Sequence, residues 1–541
     1  MTTRTIDRAR AMRSSASAVA GRFSRLPYAA QLAILIAGQV ALWTVLSAVS
    51  QTAPPWDNIE ELVWSAHPQW GYYKHPPMPA WILYAFTTVF GHGIWVTYLA
   101  AEACVAVGLA YVWRLGCAVT TPARALLATV LVSLVAYYNV RGMYFNHNTV
   151  QIPLVAAATF TFYRAVRDGR IRDWVGFGIA AGLCMLAKYS AALLFVAFGA
   201  YLLRRGRIAE RRTARGLAAA TATGLLVFSP HFAWIAAHHF EPIRYAAEST
   251  HLEGGQSFSQ ALSAAHFHAL SGFLGSELAR LAVFLAVAAW LARVSRRTDA
   301  DAASAPRWNH PDDWEFLLYA GLGPLAVTLA LGVLGGIYLE SSWVTMYFGL
   351  FGLLALHWIR SGDDERTLAR AIRATVVLQV VTAVALAFTS AVLLDRLGRA
   401  SRNNYPGPAL ARAAAAVWRA HQPGPFALLI GDTWMGGNVV EALRPHGPRL
   451  IIDGSFAKTT WISPQALQAC GALVLVDRSP KANMISTDTA SLAAQLARAT
   501  VRGRIDIPWG TRAKGPRVIA DWGILPAQDP QRCAALRNGD Q

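Results

Sequence analysis

Charge is what this sequence has least of, and negative charge least of all. Of 541 residues only 15% are charged, against 54% hydrophobic, and 31 acidic residues face 49 basic ones. A soluble chain of this length carries amphipathic helices or alternating strands with a charged face. Here nearly uncharged runs recur instead, such as Tyr28–Ser50, Ile94–Trp113 and Ala371–Leu394, each close to the roughly 20 residues that cross a hydrocarbon core. Cysteine is also scarce, at five residues, too few for a disulfide-built scaffold. Cys104, Cys117 and Cys184 fall in or beside apolar runs and read as packing residues. Cys470 and Cys533 lie further on, where a bridge and two free thiols are both open. The chain has no Walker loop, GxGxxG or HExxH, which removes the usual grounds for a nucleotide-binding enzyme or a zinc protease. The first 25 residues are basic, and the apolar run after them is too long for a cleavable signal.

The fold class that follows is a polytopic α-helical membrane protein. Eleven spans are expected, at about 28–50, 94–113, 124–140, 149–165, 174–188, 190–203, 214–234, 273–292, 315–336, 342–359 and 371–394. The net charge of +18 would suggest nucleic acid in a soluble protein. Here the arginines sit in alternate short loops, as the positive-inside rule requires. They occur at 4–25, at 114 and 124, at 164–172, 204–215, 293–307 and 360–373, while the other loops hold only Lys74, Arg141, Lys188 and Arg244. The N-terminus is therefore expected in the cytoplasm of a bacterial inner membrane. An odd number of spans puts everything after 394 in the periplasm. Pro76–Gly91 is apolar but too short to cross and reads as an interfacial or re-entrant helix.

Three parts result: a basic N-terminus at 1–27, a membrane part at 28–395 with a first outer loop at 51–93, and an outer domain at 396–541. In the last part apolar runs shrink to strand length at 426–430, 449–453, 472–476 and 517–521. Helical stretches at 409–421 and 489–499 lie among them, so a small α/β domain is expected.

The polar residues of the membrane part gather on the face opposite the arginine-rich loops. The first loop holds Asp57, Glu60, Glu61, Lys74 and His75; later loops add Arg141, His147, Lys188, and His231 at the end of a span. Charge at a bilayer boundary is costly unless solvated or paired. Asp57 and Glu60, three apart, would share a helix face, or Asp57 could simply cap a helix starting at Asn58. Lys74 and His75 precede two prolines, which stiffen the backbone; the pair suits a phosphate, or anchors to lipid headgroups. A divalent metal could sit among His238, His239, Glu241 and His251, though spacing alone is a weak signal. No other cofactor is called for.

The first loop, "DNIEELVWSAHPQWGYYKHPPMPAW", resembles that of the bacterial family 39 glycosyltransferases, relatives of protein O-mannosyltransferases and of the aminoarabinose transferases that modify lipid A. Asp57 stands where that family opens the loop with an acidic residue, and "YYKHPPMPAW" matches its close; Asn58 stands where the family usually has Glu. The stretches "LAKYS", "SPHFAWIAAHHF", "NYPGPALA" and "GDTWMGGNV" extend the likeness over most of the chain. The resemblance implies a GT-C-type enzyme that takes a sugar from a polyprenyl phosphate and gives it to an envelope glycolipid or polysaccharide of lipopolysaccharide type. It implies Asp57 as catalytic base with Glu60 behind it, and Lys74, His75, Arg141, Lys188 and His231 around the donor phosphate. Membrane lipids are the other partners. Protein O-mannosylation and a non-enzymatic lipid flippase are the competing readings.

Overall fold

The computed structural model describes residues 21–250, 264–298, 308–359, 363–479, 489–510 and 515–539. Arg4, Arg8, Arg10, Arg13, His251, Arg307 and Arg360 lie outside these residues. Among the described residues six helices are long and apolar enough to cross a membrane: Tyr28–Ser50, Ile94–Val119, Arg211–Ala237, Phe267–Ser295, Asp313–Gly335 and Glu365–Arg396. The chain is a multi-pass membrane protein with a mixed β-sheet region at its C-terminal end. The other five expected spans are also helical but shorter, less apolar or broken. Three of these segments lie in helices His147–Asp168, Ile171–Ala187 and Ala192–Arg204. The segment at 342–359 winds as a 3-10 helix, Ser341–Leu350, before a short α-helix, Phe351–Ala355.

The expected span at 124–140 ends early, at Val132. Side chains take over the backbone's bonds there. The Ser133 carbonyl accepts from Gln379 Nε2 at 2.7 Å and from Asn139 Nδ2 at 3.0 Å. Irregular backbone survives at membrane depth only where protein satisfies it in this way. Pro76–Gly91 contains one helix, Met78–Phe90, whose 13 residues are too few to span. Gly91 ends it at φ 81°, where glycine carries no Cβ penalty.

The arginine-rich loops meet one another at one end of the molecule. Arg205 pairs with Asp312 at 2.6 Å and Glu315 at 2.9 Å, Arg167 with Asp313 at 3.4 Å, and Arg124 with Asp363 at 2.7 Å. The acidic partners stand at the same end, Asp312, Asp313 and Glu315 at the start of helix Asp313–Gly335 and Asp363 just before helix Glu365–Phe388.

Five strands, β1 (Leu428–Gly431), β2 (Arg449–Ile452), β3 (Ala472–Asp477), β4 (Val501–Pro508) and β5 (Arg517–Leu525), form a sheet in the order β2-β1-β3-β5-β4. The first three are parallel; β5 runs antiparallel to β3, and β4 to β5. Strand β4 is not among the expected strands. It is a mostly exposed edge carrying Arg502, Arg504 and Asp506, and such charge protects an edge from pairing with other chains while hiding the apolar signal. A disulfide joins Cys470, at the end of helix Pro464–Cys470, to Cys533 in helix Pro530–Gly539.

One hydrophobic core unites the first loop with the sheet region. Ile59, Leu62, Trp64 and Tyr72 pack with Trp434, Met435, Val439, Leu450 and Ile452. Helix Thr433–Ala442 comes so close to helix Trp56–Ser65 that a Cβ on Gly437 would stand 2.4 Å from Ile59 Cγ2. Thr52 Oγ1 donates to Tyr405 O at 2.9 Å, and Arg444 Nη2 to Leu62 O at 3.2 Å.

Two measurements check this architecture. Alkylation of the denatured, unreduced protein is expected to label Cys104, Cys117 and Cys184 alone, with Cys470 and Cys533 joining after reduction. Gly437→Val is expected to push the sheet region off the first loop. Proteolysis should then cut between 396 and 407 faster, while the disulfide still forms; wild-type cutting would show that the contact tolerates the added bulk.

Candidate active site

Helix Trp56–Ser65 begins at Trp56, with Pro55 in the cap position and no side-chain cap. Asp57 is thus inside the first turn and does not cap it. Its carboxylate is held from another element: Asn146 Nδ2 donates to Oδ2 at 2.7 Å, while Asn146 Oδ1 caps helix His147–Asp168 by accepting from Thr149 N at 3.0 Å. Asn58, fully buried, bolts the two segments together. Its Nδ2 donates to Thr97 Oγ1 at 2.8 Å, and its Oδ1 accepts from Phe145 N at 2.9 Å. A glutamate there would bring a charge into a site built for an amide.

Glu60 and Glu61 follow on the same helix, both buried. Lys74 Nζ donates to Glu60 Oε1 at 2.7 Å and lies 4.5 Å from the centre of the Trp56 ring. Burial alone would depress the Lys74 ammonium, but Glu60, Tyr73 and Tyr245 outweigh it and hold the lysine above its usual range. Burial raises Glu60, with Lys74 pulling it partly back. Glu61 is lifted further, by burial and then by Glu60 and Asp57, and its Oε1 stands 3.2 Å from His147 Nδ1. The His75 and His147 rings lie 3.9 Å apart. Burial, then His147, Lys188 and Lys74, keep His75 well below the usual imidazole range, hence uncharged at neutral pH.

Lys188 sits in the break between helices Ile171–Ala187 and Ala192–Arg204. Its Nζ donates to Asn148 Oδ1 at 2.6 Å and lies 5.6 Å from the Trp343 ring centre.

These groups surround a cavity of about 460 Å³ lined by Asp57, Glu60, Lys74, His75 and Lys188, with Leu193, Leu331, Ile337 and Leu339 forming an apolar wall. A second, more polar chamber of about 690 Å³ shares Trp56, Lys74 and Tyr245 with it and is roofed by Arg402, Thr433, Asp453 and Lys458 of the C-terminal part. Five of the seven expected site residues therefore come together. The other two do not line the cavity. His231, fully buried, has both ring nitrogens engaged, with Trp70 O at 2.6 Å and Tyr189 Oη at 2.8 Å. It positions Tyr189, which does line the cavity. Arg141 lies 5.3 Å from the Tyr144 ring centre. Gly71, next to Trp70, has no room for a Cβ, which would stand 2.3 Å from Trp234. Among the described residues no cluster of three or more His, Cys, Asp or Glu is placed to hold a metal. His238 stacks on Trp234 at 3.9 Å and Glu241 lines the polar chamber.

Asn146, His147, Asn148, Tyr245 and Trp343, to which no motif gives a role, also line the cavity. They reach the cavity from three distant segments, and no local spacing marks them.

Residues 74–234 match the family described as dolichyl-phosphate-mannose-protein mannosyltransferase. The chain is similar to the lipopolysaccharide core galacturonosyltransferase RgtA of Rhizobium johnstonii, 23% identical over 427 residues, covering 78% of this chain and 82% of that protein. It is also similar to the lipid A galacturonosyltransferase RgtD of the same organism, 23% identical over 210 residues, which is 36% of this chain and 41% of that one. Among solved structures, ArnT from Cupriavidus metallidurans bound to undecaprenyl phosphate shares the fold with a TM-score of 0.58 at 15% identity, covering 90% of this chain and 97% of that one. The resemblance carried by the first loop is therefore borne out: residues 74–234 carry the mannosyltransferase family's match, and the chain is homologous to RgtA over most of its length.

Proposed function

We propose that this protein is a glycosyltransferase that moves one sugar from a polyprenyl phosphate to an envelope glycolipid or polysaccharide of lipopolysaccharide type, at the periplasmic face of the inner membrane. The observation that carries the reading is the cavity. One carboxylate, Asp57, is aimed by Asn146 into a space that also holds Lys74 and Lys188 and backs onto an apolar wall. An amphipathic donor with a long lipid, a phosphate and a sugar needs that sequence of surfaces. The relatives support the donor and acceptor classes: ArnT is described as bound to undecaprenyl phosphate, and RgtA and RgtD are named for lipopolysaccharide core and lipid A. The periplasmic placement rests on the arginine loops, which meet at the opposite end from the cavity.

In a single displacement, the acceptor hydroxyl oxygen forms a bond to the anomeric carbon while the bond from that carbon to the phosphate oxygen breaks. Asp57 takes the hydroxyl proton. The bond's electron pair leaves with the phosphate, which gains one negative charge. Lys74 and Lys188 meet that charge where water is scarce and fixed cations act strongly. Glu60 keeps Lys74 in place, and His75, being neutral, contributes a hydrogen-bonding ring rather than a charge. A flippase would need no carboxylate poised in this way, and a polypeptide acceptor would yield a glycosylated protein. Membranes supplied with a labelled polyprenyl-phosphate sugar should convert the label into a new glycolipid; label that only changes leaflet, or that enters protein, would overturn the reading.

Asp57→Asn is expected to lower turnover at saturating donor by about 10²–10⁴-fold, the usual worth of a general base, with an unchanged Tm. Activity at the wild-type level would remove Asp57 from the chemistry. Lys74→Met strands the Glu60 carboxylate in a buried site, and breaking a buried pair in this way costs about 3–5 kcal/mol. A marked fall in Tm is therefore expected, largely restored in Glu60→Gln/Lys74→Met, while donor use remains impaired in both. Recovery of donor use in the double variant would reduce Lys74 to a structural partner of Glu60.

A further inference from the structure

Asp432, Asp453 and Asp477 stand at the C-terminal ends of the three parallel strands β1, β2 and β3, the edge at which open α/β sheets bind ligands. Two of them have local tasks. Asp432 caps helix Thr433–Ala442, accepting from the Trp434 and Met435 amides at 2.8 Å each, and Asp477 accepts from Ser479 N at 2.8 Å. Asp453 differs. Its backbone lies in the left-handed region at φ 53°, which is uncommon for a non-glycine residue and is kept where the surroundings demand it. The residue is only 6% exposed; Oδ2 takes Lys458 Nζ at 2.7 Å, while Oδ1 has no hydrogen-bond partner among the described residues. Buried polar atoms are almost always satisfied, so an orphan oxygen requires an explanation.

Asp453 and Lys458 line the polar chamber that shares Trp56, Lys74 and Tyr245 with the donor cavity. Both the Lys74 and the Lys458 ammonium lie near the Tyr73 ring, 5.3 and 5.7 Å from its centre. The C-terminal part thus places a cation and an unsatisfied acceptor atom in the chamber that the first loop's own lysine also lines. A neutral sugar would satisfy the carboxylate oxygen but give a lysine on this wall no partner beyond it; an anionic sugar satisfies both.

We propose that Asp453 and Lys458 form an acceptor subsite for an anionic saccharide: Lys458 pairs with a phosphate or carboxylate on the acceptor glycan, and Asp453 Oδ1 accepts a hydrogen bond from one of its hydroxyls. The proposal rests on the transferase reading above and assigns the C-terminal part to acceptor selection. The shared chemistry is an acidic group beside a free hydroxyl, whichever acid supplies it.

The test is calorimetric titration of the purified full-length protein with two probes. One is undecaprenyl phosphate; the other is the fully deacylated inner-core glycan of a lipopolysaccharide, which carries both phosphate and carboxylate. Wild type should bind both. Lys458→Met, Asp453→Asn and the double variant should each bind the glycan about tenfold or more weakly, the worth of one charge-assisted hydrogen bond, with undecaprenyl phosphate affinity unchanged. Lys458→Arg should keep most of the glycan affinity, separating a lost charge from a misfolded loop. Phosphatase treatment of the glycan assigns the anion: lost binding points to phosphate, retained binding to carboxylate. Wild-type glycan affinity in Lys458→Met and Asp453→Asn, or no glycan binding by wild type, would overturn the subsite. Failure of wild type to bind undecaprenyl phosphate would instead strike the transferase reading, leaving the glycan arm to be read separately.

Discussion

Gly437 lets helix Thr433–Ala442 lie directly on Ile59, and that contact closes the first loop over its own charges. Three carboxylates in one and a half turns of helix, Asp57, Glu60 and Glu61, cannot be left bare between two apolar bodies. Each therefore has a partner outside its helix: Asn146 and His147 from a distant segment for Asp57 and Glu61, and Lys74 from later in the same loop for Glu60. The site follows from this requirement. The loop can be buried only if its own lysine and residues far away in sequence engage these carboxylates, and those residues are the ones that line the cavity.

The same contact explains why the C-terminal sheet belongs to the site rather than standing apart. Its core is continuous with that of the first loop, and the C-terminal edge of its parallel strands forms a wall of the polar chamber. The proposed transfer from a lipid-borne donor to a glycan needs an apolar pocket and a wet one that touch. Here the two touch at Trp56, Lys74 and Tyr245. Lys74 is well suited to that junction, since Glu60 fixes its position and three aromatic rings surround its ammonium.

Positions that sequence motifs single out divide into two kinds here. Asp57, Lys74 and Lys188 face open space. Asn58 and His231 spend every side-chain hydrogen bond on the protein itself. A histidine at the end of a span suggests a phosphate ligand; in the fold it is a strut between Trp70 and Tyr189. Charge and motif locate such residues without saying where the side chain turns, because that depends on which neighbour satisfies it.

Hydropathy and arginine spacing determined that this is a multi-pass helical membrane protein, since about 20 apolar residues and a one-sided distribution of basic loops are local properties of the chain. The first loop's Asp57 and its Lys-His-Pro-Pro stretch were legible too, as charge placed where charge is expensive. Strand β4 was not, because edge charges mask its alternation, nor was the break after Val132, where Gln379 from a distant helix takes over a carbonyl. Tertiary structure alone decided that Asp57 is held by Asn146 rather than capping its helix. It alone decided that Arg141 and His231 stand off the cavity, and that Asp453 and Lys458 reach across to the first loop. Each of these depends on contacts between segments tens to hundreds of residues apart, and nothing in local spacing records which distant partner will satisfy a buried polar group.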